Sequence, residues 1–283
     1  MDFFEEEDIQ IGIFTKGIIF GDDEIAQRIF GMSSEELCKK VAGYKCVTLL
    51  IGFISANPAV EHSRLKTSIK NFSAKRNLGI ERMAALGLNS DPKSQRLTLV
   101  CAPVLRDNVA EALAIFKWGV MRNIPTVIAP TMVSGKGLSM PEVHDAEFKD
   151  GLLVELYTNV YKWLIQRGIM TVDQIEGEGI SPYPGFACNQ FVSGMFIRKD
   201  GRAQGCPGNE TAPFRYAADV RGRDLKEIWT GSLGYRLRAQ LIESGNLTVT
   251  QPCYAKTEGD LVPCGSISKG FYEEVLRRVK ASF

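Results

Sequence analysis

Strand-like and helix-like segments alternate through roughly the first 170 residues of the chain. The clearest strand is the run 46–55, CVTLLIGFIS, which is apolar almost throughout, as expected for a parallel strand buried on both faces. Segments 8–14, 96–104 and 125–130 also have the length and composition of strands. Parallel strands with crossover helices form an α/β sheet or a (β/α) barrel. Four strands supply only part of an eight-stranded barrel, so the sequence predicts a partial (β/α) TIM-like barrel.

Helical spacing of apolar residues predicts helices between and after these strands. Ser33 and Glu36 provide capping chemistry inside the first helical segment, and Lys199-Asp200-Gly201 predicts a hairpin turn between strands 191–197 and 202–205. The pattern changes near Met170, which predicts a barrel part at 1–170 and a small α+β domain at 171–283. The predicted helices cover 22–42, 60–86, 108–121, 150–167, 224–243 and 270–281.

Charge and hydropathy narrow the class of protein. The formal net charge is +1, so no basic face for nucleic acid is indicated. The longest apolar run, 47–54, is well short of the roughly 20 residues that cross a membrane. The acidic beginning, MDFFEEEDIQ, has no signal-peptide character. We therefore expect a cytoplasmic protein that binds neither nucleic acid nor membranes.

The seven cysteines are unevenly distributed, and four of them lie between residues 188 and 264. In a reducing compartment, clustered cysteines indicate a metal site rather than disulfides. Four thiolates satisfy either a [4Fe–4S] cluster or a tetrahedral zinc ion. The wide spacing, without a C-x2-C pair, favours the cluster, whereas zinc, disulfides and unliganded thiols remain alternatives. The four candidate metal ligands are Cys188, Cys206, Cys253 and Cys264.

The segment from Cys188 to Cys206 reads C-x12-G-x4-C, with Gly201 as the glycine. It resembles the opening of the SPASM or shorter twitch domain of radical S-adenosylmethionine enzymes, in which such cysteines hold an auxiliary [4Fe–4S] cluster. The later segment 224–229, DLKEIW, is also similar to that family. Only Cys253 and Cys264 follow, which favours the one-cluster twitch form. The resemblance implies a SPASM/twitch-like iron–sulfur domain at 171–283.

The region before residue 170 is compatible with the same family. The segment TKG at 15–17 resembles a T-N-G turn after a barrel strand, and EHSR at 61–64 resembles a stretch near the cofactor ribose. The resemblance implies cofactor contacts at the carboxyl ends of the strands, and it makes S-adenosylmethionine a candidate ligand. His62 is a further candidate contact. The candidate cofactor-binding residues are Thr15, Ser55, Arg64 and Asn108.

The cysteine triplet C-x3-C-x2-C, with which radical S-adenosylmethionine enzymes hold their radical-generating cluster, does not occur in this sequence. The resemblance starts at about the third barrel strand of the family, so we expect a truncated or degenerate relative of enzymes that modify a peptide or a small molecule. The alternatives are a non-enzymatic module that binds a peptide or a partner, and a structural zinc protein. An open sheet edge also predicts self-association or a partner chain.

Overall fold

A computed structural model describes residues 1–55, 57–65, 67–91, 94–104, 108–130, 151–178, 180, 184, 195–204, 218–244 and 269–283. The chain divides into two compact units. The first comprises Met1–Val104 and Ala110–Ile128, and the second comprises Leu105–Val109 and Ala129–Phe283. The predicted division at residue 170 stays a prediction.

A four-stranded parallel sheet organises the first part of the chain, and the predicted α/β class is confirmed. Its strands are β1 (Ile11–Thr15), β2 (Val47–Gly52), β3 (Leu97–Val104) and β4 (Thr126–Pro130), in the spatial order 1-2-3-4. Ile11 is the register partner of Val47, and Leu49 that of Leu97. Sequential order with right-handed crossovers places every connecting helix on the same face of the sheet. That arrangement is shared by open sheets of this order and by arcs of a barrel.

Six helices are described around this sheet, together with a 3-10 turn at Ile18–Phe20. The predicted helix 22–42 is two helices, because Gly31 adopts φ +68° and Ser33 then starts a new helix with a complete capping box to Glu36. The predicted helix 60–86 is also two, because Asn71 adopts the left-handed conformation immediately before the second. The six helices are α1 (Asp2–Glu6), α2 (Asp23–Phe30), α3 (Ser34–Gly43), α4 (Pro58–Leu65), α5 (Phe72–Ala85) and α6 (Val109–Val120).

The two faces of the parallel sheet differ in burial. Leu49, Ile51 and Leu99 are fully buried, and a Cβ at Gly119 of α6 would lie 3.2 Å from Leu99 Cδ1, so these side chains face the helices. On the other face, Phe14, Leu50 and Thr98 lie side by side in the register. Phe14 is 62% exposed, and its two neighbours are half-buried. We call this second surface the open face.

Backbone-to-backbone packing joins α5 to the 3-10 turn. A Cβ at Gly79 would lie 2.8 Å from Phe20 Cβ and 3.0 Å from the Gly17 carbonyl oxygen. A Cβ at Gly21 would lie only 1.9 Å from the Lys75 carbonyl oxygen. Real Cβ atoms do not approach neighbouring atoms this closely, so the contact requires glycine at positions 21 and 79.

Helices dominate the described residues of the second unit. They include α7 (Leu152–Gln166), α8 (Val172–Glu178) and, at the end of the chain, α11 (Lys269–Lys280). Tyr157 of α7 and Phe271 of α11 stack edge to face with ring centroids 5.4 Å apart. No helix among the described residues of either unit is long and apolar enough to cross a membrane.

A small antiparallel sheet contains the predicted hairpin. It consists of β5 (Phe196–Ile197), β6 (Arg202–Gln204) and β7 (Ala218–Asp219), in that order. Two helices follow, α9 (Leu225–Gly231) and α10 (Leu233–Glu243), where the sequence predicted one at 224–243. The helices divide at Ser232, which is extended with ψ 144°. The apolar core of this sheet among the described residues consists of Ala203, Ala218, Ile228 and Tyr235, with Met195 and Val220 packed against it.

Candidate functional site

The carboxyl ends of β1 and β2 carry a concentration of polar side chains, in the position where parallel α/β sheets commonly bind ligands. The first of them is Thr15, whose hydroxyl accepts a hydrogen bond of 3.1 Å from the Gly17 amide. Gly17 has φ +74°, and a Cβ there would lie 2.8 Å from Ile51 Cγ2. The predicted TKG segment is therefore a tight turn that Thr15 and Gly17 stabilise.

Lys16 extends over the open face at the same end of the sheet. A Cβ built on Gly52 would lie 3.5 Å from Lys16 Nζ and 3.6 Å from Lys16 Cδ, so the lysine crosses the place where Gly52 has no side chain. The Lys16 side chain is exposed overall, but partial burial of its ammonium group lowers its pKa. The carboxylate of Glu61 opposes this shift, and the charge of Arg76 adds to it.

A fully buried ion pair between Glu61 of α4 and Arg76 of α5 lies next to this turn. The Glu61 carboxylate accepts hydrogen bonds from three groups: the Arg76 guanidinium, the Ile54 amide at 3.3 Å and the Ser73 hydroxyl at 2.8 Å. Both of its oxygens are therefore engaged. The pair fixes the loop after β2 to both helices.

Burial dominates the electrostatics of Arg76. It lowers the pKa of the guanidinium to about 10, although the neighbouring Glu61 carboxylate opposes the shift. The guanidinium carbon also lies 3.8 Å from the centre of the Phe53 ring, which adds a cation–π contact. Arg76 remains charged at neutral pH and forms part of the structural support of this edge.

Ser55 lies in the loop between β2 and α4 and is fully buried. Its hydroxyl donates to the Glu111 carboxylate of α6, and it also accepts a 2.9 Å hydrogen bond from the Asn57 amide. Ser55 thus links the start of α4 to α6. Its hydroxyl is used within the protein, in the turn before α4 and as a bridge to α6.

Cys101 lies on β3 among the same charged groups. Burial raises the pKa of its thiol to about 12, while Arg64 lowers that pKa and the carboxylates of Glu111 and Glu61 raise it. Arg64, on α4, is half-buried. The structure therefore brings Ser55 and Arg64, two of the predicted cofactor-binding residues, into one polar neighbourhood through Glu111 and Cys101.

The other two predicted cofactor-binding residues are placed differently. Thr15 hydrogen-bonds within its own turn. Asn108 is buried immediately before α6 and belongs to the second unit. The structure thus gathers two of the four residues rather than all of them.

A cavity of about 400 Å³ lies between α4 and the first turn of α5. His62, the predicted further contact, is an exposed residue on α4 that lines this cavity. The buried Ser73 also lines it, but its hydroxyl is already bonded to Glu61. The remaining lining residues are Pro58, Ala59, Asn71, Phe72 and Ala74.

The four cysteines predicted to bind metal, Cys188, Cys206, Cys253 and Cys264, lie outside the described residues. Within the part of the chain that is described, no three His, Cys, Asp or Glu side chains form a group that could hold a metal ion. The hairpin between the first two cysteines is described, and Gly201 in its turn adopts φ +80°. The glycine of the C-x12-G-x4-C segment therefore has a conformational requirement of its own.

We call the polar side chains at the carboxyl ends of β1 and β2, together with Arg76 and Glu111 that contact them, the polar edge. The sequence analysis included Lys16 and Glu61 only within the TKG and EHSR segments, and it missed Arg76 and Glu111. A signal was present for Arg76, because it lies between Phe72 and Ile80 on the apolar face of a helical pattern. A charged residue at a core position indicates a buried partner. Its partner could not be named, because Glu61 belongs to a different helix.

Comparisons of this chain with protein-family models, with curated proteins and with solved structures found no match.

Proposed function

We propose that this chain is an iron–sulfur protein related to radical S-adenosylmethionine enzymes, in which Cys188, Cys206, Cys253 and Cys264 hold an auxiliary [4Fe–4S] cluster. The cluster would pass electrons or help to hold a peptide or small-molecule substrate. The parallel sheet would be an arc of the family's (β/α) barrel. Its sequential strand order is consistent with that proposal. The expected location is the cytoplasm.

The observation that carries the proposal is the hairpin between the first two cysteines. Phe196 pairs with Gln204 in antiparallel register, so the chain enters and leaves the hairpin at one end. Cys206 follows Gln204 by two residues in the sequence, and Cys188 precedes Phe196 by eight. Antiparallel pairing places Phe196 and Gln204, the described strand residues nearest to these two cysteines, side by side.

The donor set also supports a metal site. Beside the hairpin, Ala203 and Ala218 of the sheet pack with Ile228 and Tyr235 of the two helices that follow it. Four thiolates are a suitable donor set for a [4Fe–4S] cluster.

The polar edge of the parallel sheet gives less support to S-adenosylmethionine as a ligand. Thr15 and Ser55 use their hydroxyls in hydrogen bonds within the protein. The chain also lacks the cysteine triplet of the radical-generating cluster. We therefore assign no radical step to this chain, and the proposal is limited to the auxiliary cluster.

Anaerobic reconstitution with iron and sulfide tests the proposal. We expect about four irons per chain and an electron paramagnetic resonance signal after reduction with dithionite. Cys206→Ala should lose both, whereas Cys38→Ala should retain both, because Cys38 is a buried thiol of α3 outside the four-cysteine set. One zinc ion per chain, or no bound metal, would contradict the cluster and favour one of the two alternatives, a zinc protein or a binding module.

A further inference from the structure

Lys16 stands apart from the other described cations of the polar edge. The nearby Glu61 carboxylate has both oxygens engaged by Arg76, Ser73 and the Ile54 amide. Lys16 itself makes no hydrogen bond or ion pair to the described part of the chain. The charges of Glu61 and Arg76 offset each other, so the ammonium group leaves this end of the sheet with a local positive charge.

Lys16 lies along the sheet surface rather than projecting away from it. Its Nζ and Cδ atoms are 3.5 Å and 3.6 Å from the position that a Cβ at Gly52 would occupy, so the lysine fills the place that a side chain there would take. Phe14, two residues earlier and within β1, presents a ring that is 62% exposed on the open face. Lys16 directly follows β1, and its contact with the Cβ position of Gly52, two residues after Leu50, places it on the same face. An exposed ring therefore shares this face with a cation that has no ion-pair partner among the described residues, at the carboxyl end of a parallel sheet.

We infer that Lys16 and Phe14 form a binding site for a small organic anion, whose carboxylate or phosphate group contacts the Lys16 ammonium while its apolar part packs on the Phe14 ring. The anion supplies a direct contact partner, which Glu61 does not because other donors engage both of its oxygens. The ring supplies apolar contact area, and Gly52 allows the Lys16 side chain to lie close to the sheet. The site is independent of the four cysteines, so it can be tested on metal-free protein.

The test uses benzoate and phenyl phosphate as probes, with neutral benzamide as the matched ligand control. Binding is measured by ligand-observed nuclear magnetic resonance at constant ionic strength, because salt screens such contacts. We expect both anions to bind more tightly than benzamide. Their relative affinities distinguish a carboxylate ligand from a phosphate ligand.

Variants assign the binding to this site. Lys16→Met should weaken anion binding about ten- to hundred-fold, the range for loss of a hydrogen bond to a charged group. Lys16→Arg should retain it. Lys75→Met is the matched control and should leave anion binding unchanged, because the Lys75 ammonium already pairs with Asp22 at 2.5 Å. Phe14→Ala should weaken benzoate binding but leave inorganic phosphate binding unchanged.

Three results would overturn the inference: no detectable anion binding to the wild-type protein, equal binding by Lys16→Met, or benzamide binding as tightly as benzoate. Circular dichroism shows whether each variant is folded. Lys16 and Phe14 are both exposed, so their substitution should preserve the fold.

Discussion

In the first unit, stability should depend strongly on single residues at the buried ion pair between Glu61 and Arg76. Each side chain is 1% exposed, and the guanidinium also packs on Phe53. Removing one partner from such a pair leaves the other charge buried without compensation. The pair therefore makes correct placement of α4, α5 and the loop after β2 interdependent.

Glu61→Gln should lower the free energy of unfolding by about 3–5 kcal/mol, the usual effect of breaking a buried pair. Urea denaturation followed by circular dichroism measures this change. The control is Glu35→Gln, which breaks the exposed Lys39–Glu35 pair on α3 and should leave the urea midpoint unchanged. Equal effects of the two substitutions would show that the buried pair has no special role.

Two buried thiols should be unreactive in the folded protein. Burial raises the pKa of Cys38 to about 11 and that of Cys101 to about 12. The thiolate is the reactive form, so at pH 8 both residues should resist iodoacetamide until the protein is denatured. Mass spectrometry of peptides from native and urea-treated protein measures the modification. Rapid alkylation of Cys101 in the native protein would contradict its burial.

At the scale of the element, contact between α5 and the 3-10 turn determines how closely that helix packs. Gly79 in α5 faces Phe20 and the Gly17 carbonyl oxygen, and Arg82 donates a 3.2 Å hydrogen bond to the Phe20 carbonyl oxygen. The helix is thus held to the turn by both close packing and a hydrogen bond.

Gly79→Ala should destabilise the protein, although the same change in an exposed helix interior stabilises by about 1 kcal/mol. The added methyl group would lie 2.8 Å from Phe20 Cβ, so either the helix or the turn must move. Gly43→Ala in α3 is the control, because a Cβ there meets no atom within 4 Å and should be neutral or stabilising. Thermal unfolding compares the melting temperatures of the two variants with that of the wild type. A higher melting temperature for Gly79→Ala than for the wild type would contradict the close contact.

Elements with strong local signals could be predicted from the sequence. The four strands, the Ser33 capping box and the hairpin turn at Gly201 all depend on neighbouring residues, and the structure contains them. The breaks at Asn71 and Ser232 were missed, because apolar spacing continues across both positions. The Glu61–Arg76 pair was missed for a related reason, since it joins two helices whose relative placement no local pattern specifies.

At the scale of the whole molecule, β1 is an edge strand of the described sheet. The Ile11 amide donates to the Cys46 carbonyl oxygen at 2.7 Å, so alternate residues of β1 turn their backbone groups toward β2. The backbone N–H and C=O groups of Gly12 and Phe14 consequently point away from β2, beyond the edge of the sheet. Unpaired backbone groups on an edge strand promote association with another strand, so β1 is the place where the predicted self-association can be tested.

We therefore expect the wild-type chain to self-associate as its concentration rises, as measured by light scattering after size-exclusion chromatography. Gly12→Pro should reduce association, because it removes a backbone N–H that points away from β2 and leaves the hydrogen bonds to β2 in place. Gly12→Ala keeps the donor, and its Cβ would only contact Leu50 at 3.4 Å, so it should associate like the wild type. A monomeric wild type at every concentration would disprove association through this edge.

The close approach of α5 to the 3-10 turn also has a consequence for tracing ancestry. Position 21 would place a Cβ 1.9 Å from a carbonyl oxygen, and position 79 would place one 2.8 Å from Phe20, so neither accepts any side chain while the backbones stay in place. Charged surface residues can drift until overall similarity is lost, but these two glycines cannot change without altering the packing itself. A search for distant kin should therefore weight the combination of Gly21 and Gly79 above percentage identity.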